Sequence, residues 1–84
     1  MNYTIFITRT ATKNLNNFNQ RDYLRIKRTL LALSDNPRST GSKKLINRPG
    51  WRIRVGKFRI IYEIDDSQKE IVILDIDHRK DIYR

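Results

Sequence analysis

The sequence predicts an α+β domain: two N-terminal helices packed on one face of a small antiparallel sheet, in the order β-α-α-β-β-β. Three observations lead there. Apolar residues between positions 11 and 33 recur at helical spacing, whereas those after position 51 alternate in twos. Turn-forming pairs cut the second half into short strands. The helices are grouped ahead of the later strands instead of alternating with them, which separates α+β from α/β. A chain of 84 residues forms one domain, 1–84.

Each element has its own warrant. Residues 2–8 are β-branched and aromatic, with Tyr3, Ile5 and Ile7 on one face, and read as a strand. Thr10 can cap a short helix whose apolar residues are Ala11, Leu15 and Phe18. Asn19 can cap a longer one, with Asp22 as an acidic first-turn residue. Tyr23, Ile26, Leu30 and Leu33 form its apolar stripe, Leu24 and Leu31 widen it, and Arg21, Arg25 and Arg28 lie mostly on the other side. Pro37 disfavours helix at Asn36, so the helix ends there. Residues 38–50 are a polar, basic connector around Leu45 and Ile46. Trp51–Val55 and Phe58–Asp65 alternate on either side of Gly56-Lys57, a pair that suits a two-residue hairpin turn. Asp66-Ser67-Gln68 marks a second turn. Ile71–Ile76 is nearly continuous in apolar residues and reads as an inner strand covered on both faces. His78–Arg84 is a short charged tail.

Composition narrows the partners. Eighteen Lys and Arg against nine Asp and Glu give a net charge of +9, which favours a polyanion: nucleic acid, an anionic membrane or an acidic protein. There is no cysteine, which excludes disulfides and thiolate chemistry and fits the cytoplasm. No apolar run reaches membrane-spanning length. No basic stretch followed by an apolar one at the N-terminus marks a secretion signal.

The hairpin carries the most information. With Gly56-Lys57 as the turn, Val55 faces Phe58, Arg54 faces Arg59, Ile53 faces Ile60, Arg52 faces Ile61, and Trp51 faces Tyr62. One face is then wholly apolar and aromatic and belongs to the core. The other receives Arg52, Arg54 and Arg59. Two like charges directly across a sheet cost roughly 0.2–1 kcal/mol. Folding does not require that pair, but a phosphate site gains from it, because converging guanidinium groups fork onto phosphate oxygens. The ordinary alternative is a solvated basic strand face. The surrounding run favours an anion site: between Arg38 and Arg59 there are eight Lys or Arg residues and no acid. Lys43, Lys44, Arg48 and Lys57 join Arg52 as candidate RNA contacts.

The tail adds His78, the sole histidine, with Arg79 and Tyr83. Cleaving RNA through its own 2′-hydroxyl takes a base, cationic stabilisation at phosphorus and an acid for the 5′-oxygen. An aromatic ring can hold the unpaired base. These residues could supply parts of that set; equally, the histidine could be a surface residue and the tyrosine a packing one. No metal-ligand spacing, nucleophile motif or phosphate loop is present, so neither a metal nor a cofactor is expected. Asp65, Asp66, Asp75 and Asp77 read as turn and strand-end residues.

Trp51-Arg-Ile-Arg-Val-Gly-Lys-Phe-Arg-Ile-Ile-Tyr-Glu63, followed by Ile73-Leu-Asp-Ile-Asp-His-Arg-Lys-Asp-Ile-Tyr-Arg84, resembles the RelE branch of the RelE/ParE toxin superfamily. The resemblance implies a RelE-like fold and a ribosome-dependent mRNA endonuclease that leaves a 2′,3′-cyclic phosphate. It implies a cognate antitoxin in a hetero-oligomer, which meets operator DNA only through that antitoxin. By the same resemblance, Arg52 and Arg54 match a basic pair on the first hairpin strand, and Arg59 a phosphate-holding arginine. Arg79 matches a residue of leaving-group or transition-state chemistry, and Tyr83 a base-stacking tyrosine. The best-known members carry lysine where this chain has Arg52 and Arg54. Arginine stays protonated and makes a poor general base. Either electrostatics and positioning then carry the reaction, or His78 takes the proton. Two other readings remain open: a ParE-like inhibitor of DNA gyrase, and an RNA-binding protein without catalysis.

Overall fold

A computed structural model of the chain describes residues 2–78. Strand β1 (Thr4–Ile7) leads into helices α1 (Arg9–Asn16) and α2 (Gln20–Asp35), then β2 (Lys43–Lys44), β3 (Trp51–Val55), β4 (Phe58–Asp65) and β5 (Glu70–His78). The helices pack against a five-stranded sheet of order β1-β5-β4-β3-β2. The expected α+β class holds, with two refinements. The β1–β5 pair is parallel, so the sheet is antiparallel except at that edge. The connection between these parallel neighbours runs through both helices and then β2, β3 and β4. The connector also contributes Lys43–Lys44 as a fifth, two-residue strand paired with Arg52 and Trp51.

Local chemistry accounts for the helix ends. Thr8, not Thr10, caps α1, its side chain accepting from the Ala11 N–H. Chain spacing alone could not choose between two threonines two residues apart. Asn19 caps α2 as expected, accepting from the Asp22 N–H at 2.8 Å. Ser34 is fully buried at the end of α2; its hydroxyl donates to the Tyr3 carbonyl at 2.6 Å and its own carbonyl accepts from the Tyr3 N–H. These two bonds fasten the helix to the edge strand.

The core contains Ile26, Leu30 and Leu33 of α2, Ala11 and Leu15 of α1, and the inward residues of β3, β4 and β5. Leu24 and Leu31 do not extend it: both are exposed, so the buried stripe of α2 is narrower than the apolar pattern suggests. Within β5, Ile71, Ile73 and Ile76 are completely buried. The step from Ile73 to Ile76 breaks the period of two because the β4–β5 register shifts at Ile61/Tyr62, a bulge-type irregularity that absorbs one residue. At the other end of the sheet the Tyr62 hydroxyl donates to the buried Pro37 carbonyl at 2.7 Å. Burial pushes the Tyr62 phenol up from its ordinary pKa.

Candidate functional site

The hairpin register matches the sequence reading at every pair: Val55 with Phe58, Arg54 with Arg59, Ile53 with Ile60, Arg52 with Ile61, Trp51 with Tyr62. Gly56 opens the turn at φ +59°, a conformation that side chains other than glycine rarely take. The helix-facing side of the hairpin is buried and the opposite side carries the arginines.

Two in-register rows cross that open side. One runs Arg54, Arg59, Asp77; the other runs Lys43, Arg52, Ile61, Asp75. Charge therefore changes sign across the sheet, from basic at β2 and β3 to acidic at β5. Lys43, Arg52, Arg54 and Arg59 converge with Gly41 on one cleft of about 370 Å³. Arg54 is exposed while Arg52 and Arg59 are half-buried, and all three line the cleft. Arg52 and Arg54 form no ion pair among the described residues. Four cations gathered on one cleft make a receptor for a polyanion.

A second cleft, of about 330 Å³, adjoins the first and shares Arg52 with it; Lys44, Arg48, Leu45, Ile61 and Asp75 are among its walls. Arg48 reaches it from a tight loop. The Leu45 N–H donates to the Gly50 carbonyl at 3.0 Å; Gly50 sits at φ +117°, where a side chain is strained, and a Cβ there would crowd the Tyr62 carbonyl at 3.2 Å.

The other expected site residues are placed differently. His78 stands at the strand end but on the helix side. It pairs with Phe58, meets that ring edge-on at 6.1 Å, and Phe58 in turn stacks on Phe18 at 4.4 Å. The structure thus does not bring His78 to the arginine clefts. Its Nδ1 is buried with no hydrogen-bond partner among the described residues. Lys57 also turns toward the helix side, its ammonium 5.5 Å from the centre of the Phe58 ring. Lys44 lies 5.8 Å from the centre of the Trp51 ring. Arg79 and Tyr83 lie outside the described residues. Among the described residues no group of three or more His, Asp or Glu side chains is placed to hold a metal ion. No helix there is long and apolar enough to cross a membrane.

Sequence reasoning missed Gly41, Ile61, Asp75 and Asn14 at this surface. Asp77 is at the end of β5 as expected, but Asp75 lies within the strand. The available signal was an acid interrupting an apolar strand. Asp75 is half-buried, and the Asn14 amide donates to its Oδ1 at 3.2 Å.

The described residues form an α+β domain with a basic, open sheet face. Residues 5–83 match the family described as the ParE toxin of type II toxin–antitoxin systems. The chain is 35% identical over 86 residues to the toxin RelG of Mycobacterium tuberculosis, covering 100% of this chain and 99% of that one. Its structure is similar to that of the toxin–antitoxin complex RelBE2 from M. tuberculosis, with TM-score 0.83 and 30% identity over 94% of this chain and 100% of that one. It is also similar to the archaeal RelE–RelB complex from Pyrococcus horikoshii, with TM-score 0.82 and 27% identity over 94% and 97% of the two chains. The chain belongs to the RelE/ParE family of type II toxins.

Proposed function

We propose that this toxin is a ribosome-dependent mRNA endonuclease acting in the cytoplasm. The observation that carries the reading is the cross-strand pair Arg54 and Arg59, joined by Arg52 and Lys43 in one open cleft. In the proposed reaction the 2′-oxygen of a ribose forms a bond to the adjacent phosphorus and the P–O5′ bond breaks. The products are a 2′,3′-cyclic phosphate and a 5′-hydroxyl, and the proton lost from the 2′-hydroxyl is balanced by the one gained at O5′. Arg54 and Arg59 neutralise charge as it builds on the non-bridging oxygens. Arg79 acts at the leaving group and Tyr83 stacks on the base. Lys43, Lys44, Arg48 and Arg52 hold flanking phosphates, and Lys57, on the helix side, is not among them.

Because His78 packs beside Phe58, electrostatic stabilisation and positioning are the favoured route over a histidine base. The partner is an antitoxin with an amphipathic, acidic segment that covers the arginine face, in keeping with the RelB-bound state of the similar structures. Operator DNA is reached through that antitoxin. Raising salt should weaken the complex; affinity that does not respond to salt would remove the electrostatic basis for this partner.

Primer extension on a reporter mRNA in a purified translation system tests the activity. Cuts in register with codons, seen only with ribosomes and lost in Arg79→Ala, are expected. A second reading, inhibition of DNA gyrase, draws on the ParE description of the matching family. It predicts a DNA-damage response ahead of translation arrest, and no cuts in the primer-extension assay.

A further inference from the structure

The second cleft contains a group that phosphate binding does not explain. Asp75 brings a carboxylate to a surface whose other charged side chains are Lys44, Arg48 and Arg52. A carboxylate repels phosphate, so its presence weakens a pure phosphate site. Its place in the row is specific: Arg52, Ile61 and Asp75 occupy successive strands in register. Two strand spacings separate Arg52 from Asp75, about 10 Å, a span on the scale of one nucleotide from phosphate to base edge. Between them lies Ile61, an apolar floor, with Leu45 beside it. Ile46, 85% exposed, stands at the mouth of the same cleft. The carboxylate is held and still able to accept: the Asn14 amide donates to Oδ1, which leaves Oδ2 and a second lone pair on Oδ1 for a ligand.

We propose that this cleft is a nucleobase subsite and that Asp75 is its specificity-determining acceptor. The base lies on Ile61 with its phosphate toward Arg52, and its Watson–Crick edge meets Asp75. Guanine is favoured, because its N1–H and N2 amino group present two adjacent donors to one carboxylate. Uracil is disfavoured, because its carbonyl oxygens meet the carboxylate as acceptor against acceptor. An unpaired base is required, since pairing would occupy that edge. Asn14 is a positioning residue that fixes the carboxylate's orientation. This subsite rests on the RNA-cleavage reading for its biological meaning, although binding of a base does not depend on cleavage.

Two measurements on the protein freed of antitoxin test it. The first maps cut sites on translated reporters that carry each of the four bases equally at every codon position. Wild-type protein should cut preferentially beside guanine. Asp75→Asn, which turns one acceptor oxygen into a donor amide, should keep cutting but lose that preference by about fivefold or more. A variant that cuts with unchanged base distribution would overturn the proposal. The second titrates guanosine and uridine monophosphates and follows the backbone amide signals of Leu45, Ile61 and Asp75 by NMR. Guanosine monophosphate should bind more tightly, and Asp75→Asn should abolish the difference. Equal response to the two nucleotides in the wild-type protein would overturn the subsite. If wild-type protein cuts nothing yet distinguishes the nucleotides, the nuclease reading fails and the subsite stands. Should Asp75→Asn not fold, the wild-type nucleotide comparison still decides.

Discussion

Arginine is used in two opposite ways at the two ends of the sheet. Beside the second turn, Arg38 donates to both oxygens of Asp66, at 3.2 and 2.9 Å, and lies 5.3 Å from the centre of the Trp51 ring. The Tyr3 hydroxyl donates to the same carboxylate at 2.7 Å. Every part of that cluster has a protein partner, and it ties the connector after α2 to the β4–β5 turn. Beside the hairpin turn, Arg54 faces Arg59 across the ladder and Arg52 lines the same cleft. The first arrangement serves folding. The second sets like charges against each other across the ladder, a cost to folding that a bound anion would relieve.

The largest effect expected from this contrast is on activity. Arg59→Ala or Arg54→Ala should lower cleavage by about 10²–10³-fold, the usual loss when one preorganised donor to developing charge is removed. Circular dichroism should show the fold intact. Cleavage within a few-fold of wild type would break the assignment of this face to chemistry. Next comes a pure stability effect at the fastened end. Tyr62→Phe removes the donor to the buried Pro37 carbonyl, and leaving that acceptor unsatisfied costs about 1–3 kcal/mol. Denaturant unfolding measures it, and cleavage per folded molecule should not change.

A third substitution joins the two ends of the comparison. Arg54→Thr relieves the like-charge pair and places a β-branched residue in a strand, so it should stabilise the protein by roughly 0.2–1 kcal/mol while lowering activity. Opposite signs in the two measurements identify a functional site maintained at some expense to folding. A loss of stability instead would show that Arg54 contributes packing that outweighs the repulsion.

The arginine face was legible in the sequence because a two-residue turn fixes register, and register fixes which side chains share a face. Gly56-Lys57 and the alternation around it therefore determined the Arg54–Arg59 pair before any coordinates. His78 was harder. Its face depends on counting along β5 across the irregularity at Ile61/Tyr62, and one absorbed residue moves every later side chain to the other side. The same shift hid Asp75, which counted as a strand-end acid until β5 was seen to run on to His78. Strand β2 could not be read because two lysines carry no periodicity; Lys43 and Lys44 pair only because β3 offers an edge. The parallel placement of β1 is a long-range outcome of the path through two helices and the β2–β3–β4 strands, and short alternating strands do not announce their direction.

The smallest effect concerns the fastened end and pH. The guanidinium of Arg38 and then the hydroxyl of Tyr3 hold the Asp66 carboxyl down at about 2, from an ordinary value of 3.8. A depressed carboxyl stabilises the fold above its unfolded-state pKa, and that contribution is lost as pH falls through the folded value. The stabilisation is thus whole above about pH 4 and disappears progressively toward pH 2. Both partners face water, with side chains 45% and 56% exposed, so solvent screening removes most of the apparent interaction. Unfolding midpoints of wild type and Asp66→Asn should accordingly differ slightly at pH 6 and converge near pH 2. A gap that persists at pH 2 would mean that Asp66 acts through the geometry of its turn and not through its charge, and the contrast between the two arginine clusters would then lose its electrostatic basis at this end.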